Sequence, residues 1–323
     1  MGMAQRIPAG DACVTLPVSA LTRVLVLLFG LCLVQIKAGD SADFWSYYDN
    51  FAGRGSIQVN SFLDLVGFIW SSKSFYHLMG MAFDIWPLLP YHLGWVALWT
   101  GLSAYGFRGI HWFLFLSFFP GPDLMVNLVR QETALGMIAL FMSLNTPLLA
   151  SCTFLLHPSA LVTVGFLYLA RIFEEVFVGS PVRSILLCLV VGIISAWLLT
   201  SPFFGMALAK LDAKRGLAEF GSRFIYFVYA EFMIIALLCL SIRTKTMRMV
   251  CFGTVALCLF FTVVEIYFYR FLYIVYPFII YEIGEALSVR AKNRKHLIAW
   301  LTTGGRYGLV WLSGMFVMMS LLR

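Results

Sequence analysis

Three consecutive polar residues, Arg130, Gln131 and Glu132, open one long apolar run, and a His157–Pro158 pair interrupts the next. A guanidinium in or beside hydrocarbon costs several kcal/mol on insertion scales, so a chain that keeps one there is using it. The chemistry Arg130 offers is anion binding, because its planar fork makes paired, charge-assisted bonds to phosphate or carboxylate oxygens. His157 offers proton transfer or a hydrogen bond to a leaving group, and otherwise serves as a hydrogen-bonded interior histidine. Glu132 is the nearest acid and reads as a partner for Arg130.

What must position these groups is a set of apolar helices. Of 323 residues, 61% are hydrophobic and only 12% are charged, which excludes an ordinary water-soluble domain. Repeated apolar runs close to the roughly 20 residues that span a bilayer predict an all-α polytopic membrane protein of about eleven transmembrane helices, some short or broken. No polar linker separates two cores, so residues 1–323 form a single membrane domain. The net charge of +7 comes mainly from loop clusters such as Arg243, Lys245 and Arg248. Such clusters orient membrane proteins by staying cytoplasmic, so nucleic acid is not an expected partner. The seven cysteines show no CxxC spacing and predict neither a metal site nor a disulfide framework.

Residues 1–17 are a cytoplasmic tail, and Val18 to Ile36 is an uncleaved first helix. Residues 38–90 form an external loop with interfacial helices, dense in acids and aromatics around Asp43, Trp45, Tyr47 and Tyr48. Those rings suit either a membrane-interface belt or the stacking of sugars. The next helix, Tyr91 to Phe107, returns inward, Ile110 to Phe119 comes back out, and Pro120–Asp123 makes a turn. From Arg130 a helix descends to a break at Asn145–Pro147. Proline disfavours helical geometry in the residue before it, so the chain is expected to reverse at His157–Pro158 with two short arms. Only that reversal puts the clusters at 243–248 and 290–295 both inside, and it places His157 on the same outer side as Arg130.

Further on, Ile185 to Phe204 goes out, Phe224 to Ile242 in, Met249 to Tyr267 out, Phe271 to Leu287 in and Leu297 to Leu322 out. Residues 205–223 are an external basic loop carrying Lys210, Lys214, Arg215 and Arg223. The outer half therefore gathers Arg130, Arg223 and Arg270 as cations suited to a diphosphate. Arg215 has lipid headgroups or a loop acid as its ordinary alternative.

The order of these motifs resembles a known family. An acidic-aromatic outer stretch (Asp43 to Tyr48) precedes Val129-Arg130-Gln131 and then His157-Pro-Ser-Ala-Leu161. Arg223-Phe-x-Tyr226 and Arg270-Phe-Leu-Tyr273 follow, leading to Pro277. The series is similar to the Wzy-type O-antigen and exopolysaccharide repeat-unit polymerases, in their EpsG-like branch. It covers roughly residues 20 to 290, and each motif is short. His77, His92 and the 209–223 loop match nothing in the pattern.

The resemblance implies a multi-pass protein of the bacterial inner membrane with a GT-C-like bundle and its active site facing the periplasm. It implies a glycosyltransferase that moves an undecaprenyl-diphosphate-linked glycan onto another lipid-linked repeat unit without a metal or other cofactor. On this reading Arg130, Arg223 and Arg270 bind the diphosphate, and Arg130, His157 and Asp43 carry the catalysis. The base is left open between His157 and Asp43. Trp45, Tyr47, Tyr48 and Arg215 would contact sugar. Lipid-linked oligosaccharides, membrane lipids and a chain-length regulator are the implied partners. The rival readings are an O-antigen ligase-like glycosyltransferase and a lipid-linked glycan flippase or transporter.

Overall fold

In a computed structural model the structure describes residues 16–40, 44–53, 61, 64, 73–157, 159–177, 222–264 and 270–292. The described residues are helical, with no strand among them. The helices in order are α1 (Leu16–Lys37), α2 (Phe44–Ala52), α3 (Lys73–Leu78), α4 (Gly80–Ile85), α5 (Leu89–Tyr105), α6 (Gly109–Ser117) and α7 (Pro120–Asn127). Then come α8 (Val129–Ser143), α9 (Pro147–Cys152), α10 (Ala160–Phe177), α11 (Ser222–Cys239), α12 (Lys245–Val264), α13 (Arg270–Tyr273) and α14 (Tyr276–Lys292).

Local chemistry explains several of these boundaries. Pro90, Pro120 and Pro147 fall at the first or second position of α5, α7 and α9, where the missing N–H has no helical partner to lose. Gly106 ends α5 at φ 120° and returns its N–H to the carbonyls of Leu102 and Ser103. Asn145, at φ 56°, turns the chain after α8, a conformation asparagine tolerates better than most residues.

The centre of the bundle is the crossing of α5 and α8. A Cβ added to Gly101 would collide with the carbonyl of Gly136, and one added to Gly136 would collide with the carbonyl of Ala97. Small residues at both contact points let the two backbones nearly touch. On its other side α5 is fastened to α1. The indole N–H groups of Trp95 and Trp99, one turn apart, donate to the backbone carbonyls of Leu27 (3.0 Å) and Arg23 (2.9 Å).

The later helices close the bundle around α6 and α7. The Tyr276 hydroxyl donates to the carbonyls of Leu114 and Phe115 at 3.2 and 2.8 Å. His111 lies 3.4 Å from Glu285 in a slot left by Gly284. Glu231 of α11 accepts the backbone N–H of Phe119 at 2.9 Å, ahead of α7. Glu231→Leu removes that acceptor inside the protein and is expected to cost about 1–3 kcal/mol. Glu231→Gln, whose amide oxygen still accepts, should unfold closer to wild type, and denaturation of the two variants side by side checks the difference.

The expected helices over 18–36, 91–107, 224–242 and 249–267 all correspond to described ones, namely α1, α5, α11 and α12. Four expectations change. The Pro120–Asp123 turn is instead the first turn of α7, because both prolines sit where a helix start tolerates them. The outward pass at 110–119 is α6, nine residues or about 14 Å at 1.5 Å per residue, well short of a bilayer core. The helix expected over 271–287 is divided at Ile274–Val275 into α13 and α14. Of the two arms around His157 only the first is short, made of α9 and a 3-10 turn at Thr153–Leu155, while α10 runs 18 residues.

No single described helix is long and apolar enough to cross a membrane; α7 and α8 pass that test together, bent by 111° at Leu128. The expected passes at 185–204 and 297–322, and most of the 205–223 loop, lie outside the described residues.

Candidate functional site

Arg130 is the second residue of α8, immediately after the bend at Leu128. The bend turns the start of α8 toward α2 and α3, the short helices of the 38–90 region. Helix α2 places Phe44, Tyr47, Tyr48 and Phe51 at the spacing of one helical face. Tyr47 and Phe51 are buried, and Phe51 meets Tyr76 of α3 edge-on, with centroids 4.9 Å apart. Tyr47 also meets Tyr91 of α5 edge-on at 6.0 Å. On this aromatic base the guanidinium carbon of Arg130 lies 5.3 Å from the ring centroid of Tyr47 and 5.3 Å from that of Tyr76.

A guanidinium beside aromatic rings is attracted by their π faces. The two ring centroids are themselves only 6.2 Å apart, so both tyrosines lie on the same side of the cation. Each exposed-to-buried cation–π contact contributes about 0.5–2 kcal/mol. Tyr76→Leu should therefore lower the thermal midpoint, while Tyr76→Phe keeps the ring and should stay near wild type when the two are unfolded side by side.

Tyr47, grouped by sequence with Trp45 and Tyr48, faces inward at 6% exposure. Trp45 remains outward at 64%, whereas Tyr48, at 37%, packs edge-on to Phe83 at 5.2 Å with its ring 5.7 Å from that of Trp45. Glu132, expected beside Arg130, points elsewhere. Residues two apart on a helix face different directions. Its carboxylate is fully buried against α5, where a Cβ on Gly94 would come within 2.9 Å of Oε2. Neither of its oxygens has a hydrogen-bond partner among the described residues.

His157 is reached through α3. The Ser74 hydroxyl donates to the carbonyl of Leu155, two residues before His157, while Tyr76, two residues further along α3, covers Arg130. One six-residue helix thus contacts both segments. The half-buried His157 ring has Nδ1 2.6 Å from the Ser159 hydroxyl, and the Ser159 backbone N–H donates to the same nitrogen at 3.2 Å. Beyond it, the Thr163 hydroxyl of α10 donates to the Ile274 carbonyl at 2.7 Å, just past α13. Helix α13, which begins at Arg270, packs in turn on α7.

The segments bearing Arg130, His157 and Arg270 are therefore linked by named bonds. The side chains of Arg270 and Arg223, which open α13 and α11, lie outside the described set, as do Asp43 and Arg215.

Sequence reasoning missed Tyr76. Its only signal was an aromatic pair, Phe75–Tyr76, in the outer region, and nothing local connects it to a residue 54 positions on. It also missed the buried Asp123, which accepts a hydrogen bond from the Asn127 amide inside α7. No group of three or more His, Cys, Asp or Glu placed to hold a metal occurs among the described residues.

No family model, curated protein or solved structure matches this chain.

Proposed function

We propose that this protein is a polysaccharide polymerase of the bacterial inner membrane. It transfers an undecaprenyl-diphosphate-linked glycan onto a second lipid-linked repeat unit at the periplasmic face. The observation that carries the reading is the Arg130 guanidinium set beside the Tyr47–Tyr76 pair, with the His157 segment bonded to the helix that supplies Tyr76.

In this reaction the acceptor hydroxyl oxygen attacks the anomeric carbon of the donor glycan. The bond from that carbon to the diphosphate oxygen breaks, and the diphosphate leaves with the electron pair. A fixed guanidinium stabilises charge that develops on the leaving group, and it does so without rearranging. Arg223 and Arg270 are the further cations for the diphosphate. Trp45 and Tyr48, side by side, are suited to stack on a sugar face, with Arg215 as a sugar contact. Asp43 and His157 are the two sequence candidates for taking the acceptor proton.

The membrane assignment draws on the surface as well as on composition. Leu21, Leu25, Leu28 and Ile36, all more than half exposed, form one uncovered stripe of α1, and Met81 and Ile85 of α4 are exposed at 79% and 77%. Apolar surface of this extent calls for a lipid or protein cover. Partners on this reading are lipid-linked oligosaccharides, bilayer lipids and a chain-length regulator.

The test is purified protein with lipid-linked repeat units. A ladder of longer glycans supports polymerisation. Repeat units moved across a liposome bilayer with no elongation would replace the polymerase with a flippase, and transfer only to a lipid A core acceptor would make it a ligase.

A further inference from the structure

A neutral imidazole has one nitrogen that donates and one that accepts, and the hydrogen bonds around the ring decide which is which. At His157 the decision falls on Nδ1. The backbone N–H of Ser159 can only donate, and it points at Nδ1 from 3.2 Å. The Ser159 hydroxyl, 2.6 Å from the same nitrogen, is free to rotate its hydrogen toward it. Two donors from one residue therefore meet the Nδ1 lone pair, and the ring hydrogen is left on Nε2.

Hydrogen bonds hold both sides of this turn. The Ser74 hydroxyl holds the Leu155 carbonyl on one side, and the Thr163 hydroxyl bridges the Ser159 and Ile274 carbonyls at 3.3 and 2.7 Å on the other. Ser159 is thus tied at its hydroxyl, its N–H and its carbonyl.

We infer that Ser159 is a positioning residue that fixes His157 as an Nε2–H hydrogen-bond donor, so that His157 contacts a substrate oxygen and does not serve as the general base. This rests on the polymerase reading for the identity of that oxygen, taken as one of the departing diphosphate. An imidazole whose only lone pair is already engaged by Ser159 has none to offer the acceptor hydroxyl. The acceptor proton goes to another group, and Asp43 is the carboxylate the sequence provides for it.

The two roles separate experimentally, because glutamine presents an amide N–H but is no base. His157→Gln is expected to keep activity within about tenfold of wild type, whereas a general base contributes about 10²–10⁴-fold. His157→Ala, with no donor, should lose well over tenfold. Equal, severe loss in both variants at normal folded yield overturns the donor role.

The tautomer is read directly from nitrogen-15 histidine spectra of the wild-type protein in nanodiscs at about pH 8, above the ordinary histidine range. The His157 signal is identified by its absence in His157→Gln. An Nε2–H pattern supports the inference, and an Nδ1–H pattern overturns it whatever the activity data show. Ser159→Thr should preserve both tautomer and turnover, and Ser159→Ala should lower turnover several-fold. A Ser159→Ala protein identical to wild type in both readouts removes the positioning role. These spectra do not require turnover, so a wild-type protein that makes no ladder rejects the polymerase reading and leaves the tautomer result standing.

Discussion

On the proposed polymerase reading, Arg130→Lys protein is expected to accumulate and fold like wild type while elongating lipid-linked glycan roughly 100-fold more slowly or worse. Lysine keeps the charge but loses two things that arginine offers. Its ammonium is a compact, strongly hydrated charge that sits less well beside the rings of Tyr47 and Tyr76. It also lacks the planar fork that the proposed diphosphate contact uses, so on that reading the exchange is not conservative. Steady-state rates with purified lipid-linked repeat units check this. Stability is not expected to change much, since the aromatic base survives the substitution through the contacts of Phe51 with Tyr76 and Tyr47 with Tyr91. Near wild-type turnover in Arg130→Lys would remove the guanidinium from the mechanism.

The largest effect on stability is expected at Gly136. Its added Cβ would meet the backbone of Ala97 and Leu98 rather than the end of a flexible side chain, so one helix must move away from the other. Gly136→Val should cost about 3 kcal/mol or more, at the upper end of overpacking penalties, and deplete folded protein. Gly253→Ala is the control. Nothing lies within 4 Å of a Cβ there, and replacing a helical glycine by alanine gains about 0.5–1 kcal/mol. Thermal midpoints and monodisperse yield in one detergent should move in opposite directions for the two variants.

The helix ends were the most legible part of the fold. Pro90 and Pro147 mark starts, Asn145 marks a reversal, and the polar Val129-Arg130-Gln131 step marks where α8 begins. Each depends on the backbone geometry of one residue type, which a sequence displays directly. The bend at Leu128 is different. Leucine has no breaker chemistry, and its ψ of 46° is set by what α7 and α8 pack against. Reading Pro120–Asp123 as a turn made the same error in reverse, because two prolines close together suit a helix start as well as a loop.

For the candidate site, residue types were legible and directions were not. Arg130 and Tyr47 were singled out for separate tasks, yet they touch, and Tyr76, singled out for none, completes the pair. Contacts between residues 54 and 83 positions apart arise from tertiary packing, which leaves no periodic trace. Glu132 was a different case. The 200° between positions i and i+2 already set it against a pairing with Arg130, and helix geometry alone would have sent it to the α5 side.

The account stands on Arg130 gripping the diphosphate of the lipid carrier, and equilibrium binding of undecaprenyl diphosphate to the purified protein in nanodiscs tests this most directly. Wild-type protein should bind it at least about tenfold more tightly than Arg130→Lys, with Tyr76→Leu between them, a tenfold change being about 1.4 kcal/mol. Equal affinity in all three proteins would contradict the assignment.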